Sequence, residues 1–242
     1  MHTNNSTDWS GVKAVVFDVD GTLYNQSKLR KHMLLALLSH YLPRPWQLGD
    51  MLLLSRFRAE RERRAGQGCP GLESAQYNWC AENGGYKPDK VRQVVEQWMY
   101  RFPLRYIAGC VYPGTAAFFE ALRAKSIRIG IYSDYPALEK LTAMGLQADV
   151  IVSSTDPEVD FLKPDPRGLR LVAERLGLKA SECLFIGDRQ ELDGACAEAA
   201  GMPYLILQKG PDAMHFYPNL SKQLNLIQHT KLASHESEFL TS

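Results

Sequence analysis

Five short apolar runs recur along the chain: 13–17 (KAVVF), 127–132 (IRIGIY), 148–152 (ADVIV), 182–186 (ECLFI) and 204–207 (YLIL). Runs this short, rich in Val and Ile and bounded by polar or turn residues, read as strands buried on both faces. From the second run onward the intervals carry a helical apolar period, over 115–125 (TAAFFEALRAK), 136–144 (PALEKLTAM), 166–176 (PRGLRLVAERL) and 190–200 (QELDGACAEAA). Pro136 and Pro166 suit first-turn positions of two of these helices. Strand alternating with helix predicts an α/β fold with a parallel sheet covered on both faces.

The alternation fails between the first and second runs, where about 90 residues carry only helical patterns. Four stripes repeat near 3.6 residues: Leu29, Met33, Ala36, Leu37 and Tyr41; Leu53, Leu54 and Phe57; Leu72, Ala75 and Trp79; and Val91, Val94, Val95 and Trp98. They predict a small α-helical insertion, a cap over 25–109, between core segments 12–24 and 110–220. Residues 1–11 and 221–242 are expected to be tails, the last of them, ASHESEFLTS, mobile. The turn Tyr112-Pro113-Gly114 suits re-entry into the core.

Composition narrows this picture only a little. With 242 residues, 45% hydrophobic and 23% charged, the chain has ordinary globular usage and enough length for a sizeable core. A formal charge of +1 without a long basic face gives no reason to expect nucleic acid. The opening MHTNNSTDWSG lacks the basic and apolar regions of a secretory signal, and no apolar run approaches the roughly 18 residues that span a bilayer, so a cytoplasmic location without membrane contact is expected. Cys69, Cys80, Cys110, Cys183 and Cys196 form no Cys-x-x-Cys pair, and the six histidines show no ligand spacing with them. Packing thiols and surface histidines are the expected reading.

The chemistry collects where strands end. In an open parallel sheet, ligands bind outside the carboxyl ends of the strands. Asp18 and Asp20 follow the first run, Ser133 and Asp134 the second, Gly187-Asp188 and then Asp193 the fourth, and Lys163 lies between the third run and its helix. Crowded carboxylates repel unless a cation is present or some remain protonated. A hard divalent cation, Mg²⁺, resolves the conflict, since it takes one or two carboxylates together with phosphate oxygens. Lys163 would then meet a phosphate as a point charge, the Ser133 hydroxyl would donate to it, and the amides around Gly21 and Thr22 would cradle it. Asp18 is a candidate nucleophile toward phosphorus, giving an aspartyl-phosphate, and Asp20 a candidate general acid/base.

Plainer readings accompany each residue. Asp18 and Asp20 could close a strand in a solvated Asp-Gly turn, Ser133 or Asp134 could cap a helix before Pro136, and Asp193 could lie in a helical first turn favoured by the dipole. Lys163 could be a solvated lysine held extended by Pro164. The run Arg56 to Arg64 (RFRAERERR) is expected to be a solvated helix face laced with opposite charges, although it could offer cations to a substrate. Trp79, Trp98 and Tyr100 are expected in the core of the insertion, and the loop from Gly66 to Gly71 is read as either a connector or a segment touching substrate.

Taken in order, DVDGT (Asp18 to Thr22), Ser133, Leu162-Lys163-Pro164 and Gly187-Asp188 with Asp193 resemble the four motifs of the haloacid dehalogenase superfamily, in its phosphatase branch with a helical cap between the first motif and the second strand. The resemblance implies Asp18 as nucleophile and metal ligand, Asp20 as acid/base with its backbone carbonyl on Mg²⁺, Asp188 as a direct ligand and Asp193 as a direct or water-mediated one. It also implies a Rossmann-like parallel-sheet core, substrate contacts from Thr22, Ser133, Asp134 and Lys163, and a cap that closes over the site. Two positions depart from the pattern: Asp134 stands where asparagine is common and Arg189 where a small residue is common. The expected activity is Mg²⁺-dependent hydrolysis of a small phosphorylated metabolite. A phosphosugar mutase of the same fold and a non-catalytic phosphate-binding or interaction module are alternatives. A carbon–halogen hydrolase is disfavoured because it would not need Asp20, Asp188 and Asp193. A phosphonate-cleaving variant would need a cap lysine, and nothing around Lys28, Lys31 or Lys87 suggests one. The physiological substrate and the oligomeric state are left open by the sequence.

Overall fold

A computed structural model describes residues 8–226. The five expected strands are present: β1 (Ala14–Phe17), β2 (Arg128–Ser133), β3 (Val150–Ser153), β4 (Cys183–Gly187) and β5 (Tyr204–Ile206). They form one parallel sheet in the order β3-β2-β1-β4-β5. β1 is central, and its side chains alternate between two cores as the two-residue period of a strand demands. Val15 and Phe17 enter one core with Ile129 and Ile131 of β2, while Ala14 and Val16 enter the other with Tyr132, Val172 and Phe185.

The first core is covered by α6 (Thr115–Ala124), α7 (Leu138–Met144) and the helical residues 216–226. Its centre is aromatic: Phe17 stacks on Phe119 at 4.7 Å and meets Phe118 edge-on at 6.1 Å, while Phe118 lies 5.8 Å from Tyr217. The second core is covered by α8 (Arg167–Arg175) and α9 (Ala195–Ala200). Here Gly130 lets α8 approach β2, because a Cβ on it would stand 2.6 Å from Val172 Cγ1.

Between β1 and β2 the chain is helical, as expected, with α1 (Gln26–Tyr41), α2 (Gly49–Arg63), α3 (Leu72–Gly84), α4 (Pro88–Val95), whose end widens into a π-helical stretch over Glu96–Arg101, and α5 (Leu104–Ile107). Asn25 caps α1 by accepting from the Lys28 amide at 2.9 Å. A third buried cluster draws only on residues 41–98, centred on Tyr41, Leu53, Phe57, Val91, Val95 and Trp98. The chain leaves and re-enters the sheet side by side, through an antiparallel bridge between Tyr24 and Val111.

The structure alters several expectations. The buried face of α3 carries Leu72, Gln76, Tyr77, Cys80 and Ala81, whereas Ala75 and Trp79 are half-buried. The stack of Tyr77 on Phe57, 5.7 Å apart, rotates the helix, and Arg64 covers the Trp79 ring instead at 4.6 Å. Pro136 and Pro166 precede their helices, whose first residues are Leu138 and Arg167. The core runs a few residues beyond the expected boundary at 220, because Leu224, placed in the expected tail, is buried in the first core with Tyr217 and Leu220. The segment ASHESEFLTS and His2, His229 and His235 lie outside the described residues. No helix among the described residues is long and apolar enough to cross a membrane.

Phe118 is fully buried among three aromatic rings. Phe118→Ala is expected to lower the unfolding free energy by about 3–5 kcal/mol, measured by urea denaturation. A loss within the roughly ±0.5 kcal/mol of ordinary surface changes would contradict this account of the core.

Candidate active site

The apolar run of β1 ends at Asp18 because the strand reaches the carboxyl edge of the sheet there. The Asp18 amide still donates to the Ile186 carbonyl at 2.9 Å, and the carboxylate is turned into a buried pocket. Gly21, at φ +103°, carries the chain around so closely that a Cβ would stand 2.4 Å from Asp188 Oδ2. Strands β1 and β4 are neighbours, so Asp18 and Asp188 face each other across the edge.

Lys163 sits between two carboxylates. Its ammonium is 2.7 Å from Asp18 Oδ1 and 2.8 Å from Asp193 Oδ1, with all three side chains almost wholly buried. Asp193 also accepts from the amides of Asp188 and Arg189, each at 3.0 Å on Oδ2. Asp18 has only the Thr22 hydroxyl besides, at 3.1 Å. One cation is thus shared unequally. Burial works to raise Asp193, but Lys163 and the two amides outweigh it and hold this carboxyl below the ordinary range. For Asp18, burial dominates and pushes the carboxyl up to about 8, with Lys163 opposing and Asp193 and Asp188 adding. Burial likewise raises Asp188, against the pull of Lys209, whose Nζ lies 2.6 Å from Oδ2.

Oxygens of Asp18, Asp188 and Asp193 come within 4.8 Å of one another. Asp188 Oδ2 is buried and meets the Lys209 ammonium at 2.6 Å. Three clustered carboxylates matched by only two ammoniums, Lys163 and Lys209, fit a hard divalent cation. Asp20, expected to meet the metal through its backbone carbonyl, keeps its carboxylate out of this trio. It is held by Lys140 at 2.6 and 2.7 Å and by the Tyr24 hydroxyl. Burial would raise Asp20, but the Lys140 charge and these hydrogen bonds win and lower it.

The remaining expected residues divide. Ser133 is fully buried and its hydroxyl accepts from the Tyr135 amide at 3.3 Å, so it does not cap α7, whose first residue is Leu138. Asp134 turns aside to accept from the Ser154 hydroxyl at 3.0 Å, with Arg189 3.9 Å from its other oxygen. The Thr22 amide, expected to face a phosphate, donates to the Val19 carbonyl at 3.3 Å. Arg189 pairs with Glu62 of α2 at 2.7 Å and does not point a free cation at the acids.

Sequence reasoning missed Lys140, Tyr24, Lys209 and Arg61. Lys140 carried a faint signal, a cation on the inner face of a core helix beside Leu141, where a surface helix seldom buries charge. Arg61 corrects the reading of RFRAERERR. Glu60 does pair with Arg63 and Arg64 as a solvated face should, but Arg61 is buried, donates to the Asp134 carbonyl at 2.6 Å and lies 4.4 Å over the Tyr135 ring. The loop from Gly66 to Gly71 is docked on the core: Gly66 N donates to the Lys163 carbonyl and Leu162 N to Gln67 O, both at 2.9 Å, and Asp160 accepts from the amides of Gly71 and Leu72.

The raised Asp18 sets a pH dependence. A carboxyl whose folded pKa stands near 8, against about 3.9 unfolded, favours the fold while protonated, and that contribution is lost as pH rises toward 8. In metal-free protein, Asp18→Asn is therefore expected to unfold at a higher temperature than wild type at pH 8, the gap closing toward pH 4. Parallel melting curves at every pH would mean that Asp18 is ionised in the fold throughout.

With this geometry in hand, the chain can be set beside known proteins. A family model described as haloacid dehalogenase-like hydrolase matches residues 12–201. A phosphoglycolate phosphatase of Rhodospirillum rubrum is 31% identical over 206 residues, spanning 82% of this chain and 80% of its own. One of Yersinia pestis is 27% identical over 207 residues, spanning 84% and 83%. Among solved structures, the HAD phosphatase from Thermococcus onnurineus superposes with TM-score 0.57 at 26% identity, covering 83% of this chain and 88% of that one. The β-phosphoglucomutase of Clostridium difficile also gives TM-score 0.57, over 89% and 98%, but at 14% identity the likeness is one of fold alone.

Proposed function

The chain belongs to the haloacid dehalogenase-like hydrolases and is a phosphoric monoester hydrolase, and from that premise we propose that it is a Mg²⁺-dependent phosphatase working through an aspartyl-phosphate on Asp18. The observation that carries the reading is the buried set of Asp18, Asp188 and Asp193 sharing Lys163 at the carboxyl edge of β1 and β4. Bound at the three carboxylates, Mg²⁺ would neutralise their repulsion and draw charge from the phosphate oxygens.

The residues themselves then divide the work. Asp18 attacks phosphorus, for which it must be ionised, so the site reacts only when added positive charge displaces its proton. Lys163 holds the nucleophile in place and offers its remaining donor capacity to the phosphate. Asp20 is the acid/base. Kept ionised by Lys140, it is ready to take a proton from water, whereas giving one to the leaving oxygen requires that ion pair to open. The insertion serves as cap, bounding the site from above the sheet edge. The substrate is a small phosphorylated metabolite, and the phosphoglycolate phosphatases among the relatives make phosphoglycolate the first compound to try.

Phosphate release from phosphoglycolate, sugar phosphates and nucleotides, with Mg²⁺ or chelator, tests this. Release is expected to stop with chelator and in Asp18→Asn, and to fall by about 10²–10⁴-fold in Asp20→Asn. Acid quenching is expected to trap labelled phosphate on wild-type protein but not on Asp18→Asn. Turnover surviving in Asp18→Asn would refute the nucleophile assignment, and isomer conversion without phosphate release would make the protein a mutase.

A further inference from the structure

A cavity of about 520 Å³ contains both the acid cluster and much of the insertion: Asp18, Asp20 and Lys163 line it together with Leu29, Met33, Leu37, Met51, Leu54 and Trp98. The cap's share of the lining is therefore largely apolar. Leu54 and Trp98 belong to the cap's own core, but Met33, Leu37 and Met51 are only half-buried and present surface to the cavity. Two of these three are methionines, unbranched and polarizable, which fit themselves to flat or irregular apolar ligands.

The cations of the cavity fall into two groups. Arg61, Lys140, Lys163, Arg189 and Lys209 are all engaged, with Gln76 and the Asp134 carbonyl, Asp20, the Asp18 and Asp193 pair, Glu62 and Asp188 respectively. Arg30 of α1 and Arg58 of α2 line the same cavity, are exposed, and make no ion pair or hydrogen bond among the described residues. Two uncommitted guanidiniums beside an apolar wall are suited to a ligand that is apolar over most of its body and anionic at a point away from its phosphate.

Resting on the phosphatase reading above, we propose that the substrate is a phosphomonoester whose leaving group joins a bulky apolar body, about the size of an aromatic ring, to a second anionic group. The body lies on Met33, Leu37 and Met51, and the anion meets Arg30 and Arg58. Hydrolysis transfers the phosphoryl group to water and releases that body as a free alcohol, the leaving oxygen taking one proton. A two-carbon leaving group such as glycolate supplies the second anion but leaves the apolar wall in water, so it forgoes most of the binding available to raise kcat/KM.

Phosphoglycolate, benzyl phosphate and 3-(phosphooxymethyl)benzoate are all esters of alkyl alcohols, so their comparison isolates body and charge from leaving-group reactivity. Steady-state phosphate release by the full chain with Mg²⁺ is expected to favour the carboxylated benzyl ester about tenfold or more in kcat/KM over each of the others, chiefly through KM. Met51→Asp is expected to lower kcat/KM for both benzyl esters relative to phosphoglycolate. The double variant Arg30→Ala with Arg58→Ala is expected to remove the advantage of the carboxylated ester over benzyl phosphate. Melting temperatures verify that each variant is folded. Equal values for the three esters, a preference for phosphoglycolate, or ratios unmoved by the variants would overturn this inference and leave the phosphatase reading standing. No phosphate release from any of the three would overturn this inference, and would overturn the phosphatase reading as well only where sugar phosphates and nucleotides are also left intact.

Discussion

Lys163 between Asp18 and Asp193 is the interaction on which the rest of the structure depends. An ammonium this deeply buried is tolerated only because two carboxylates meet it at hydrogen-bonding distance, and those carboxylates are tolerated only because it is there. Removing the ionised partner, Asp193, from such a buried set typically costs about 3–5 kcal/mol. The same contacts tie together parts remote in sequence. Asp18 ends β1, Asp193 clamps the turn after β4 through the amides of Asp188 and Arg189, and the Lys163 carbonyl receives the Gly66 amide from the insertion. One lysine thus ties two strand ends and the helical insert to a single point.

Around that point, two aspartates only two residues apart are driven in opposite directions. Asp18 has a half share of a lysine and one hydroxyl, and burial prevails. Asp20 has Lys140 on both oxygens and the Tyr24 hydroxyl, and its charge is favoured. Environments that separate the pKa values of neighbouring acids are the usual means by which one site performs both acid and base chemistry. The trio of Asp18, Asp188 and Asp193 is also under-compensated by its own lysines, which supports the proposed place of a divalent cation there.

Three of the junctions between the insertion and the core bear on the site. The Tyr24 to Val111 bridge closes its base next to Asp20. The loop from Gly66 to Gly71 hydrogen-bonds along residues 160–163, next to Lys163. Arg61 and the Glu62–Arg189 pair fasten α2 over the turns that follow β2 and β4. Motion of the insert is therefore coupled to the segments that carry Lys163, Asp134 and Arg189.

The sequence by itself determined the five strands, the helical interruption and the gathering of Asp18, Asp20, Ser133, Lys163, Asp188 and Asp193 on one sheet edge. These follow from local rules: apolar runs of strand length, helical periods between them, and the tendency of parallel sheets to place loops at their carboxyl ends. Even the close turn at Gly21 was legible, as a glycine immediately after the acids. Tertiary structure alone decided how charge is shared. Nothing in the spacing of Lys140 or Lys209 reveals which carboxylate each meets, because Asp20 lies 120 residues from Lys140 and Asp188 is separated from Lys209 by α9 and β5. The same holds for Asp134, drawn off by Ser154 and Arg189, and for Arg61, which sits in a run that reads as a solvated face. Helix α3 turned its Tyr77 side inward because Phe57 was there to stack on, a choice its own mixed sequence did not contain. Periodicity fixes which elements form; the pairing of buried charges and rings depends on distances between elements, which no local pattern encodes.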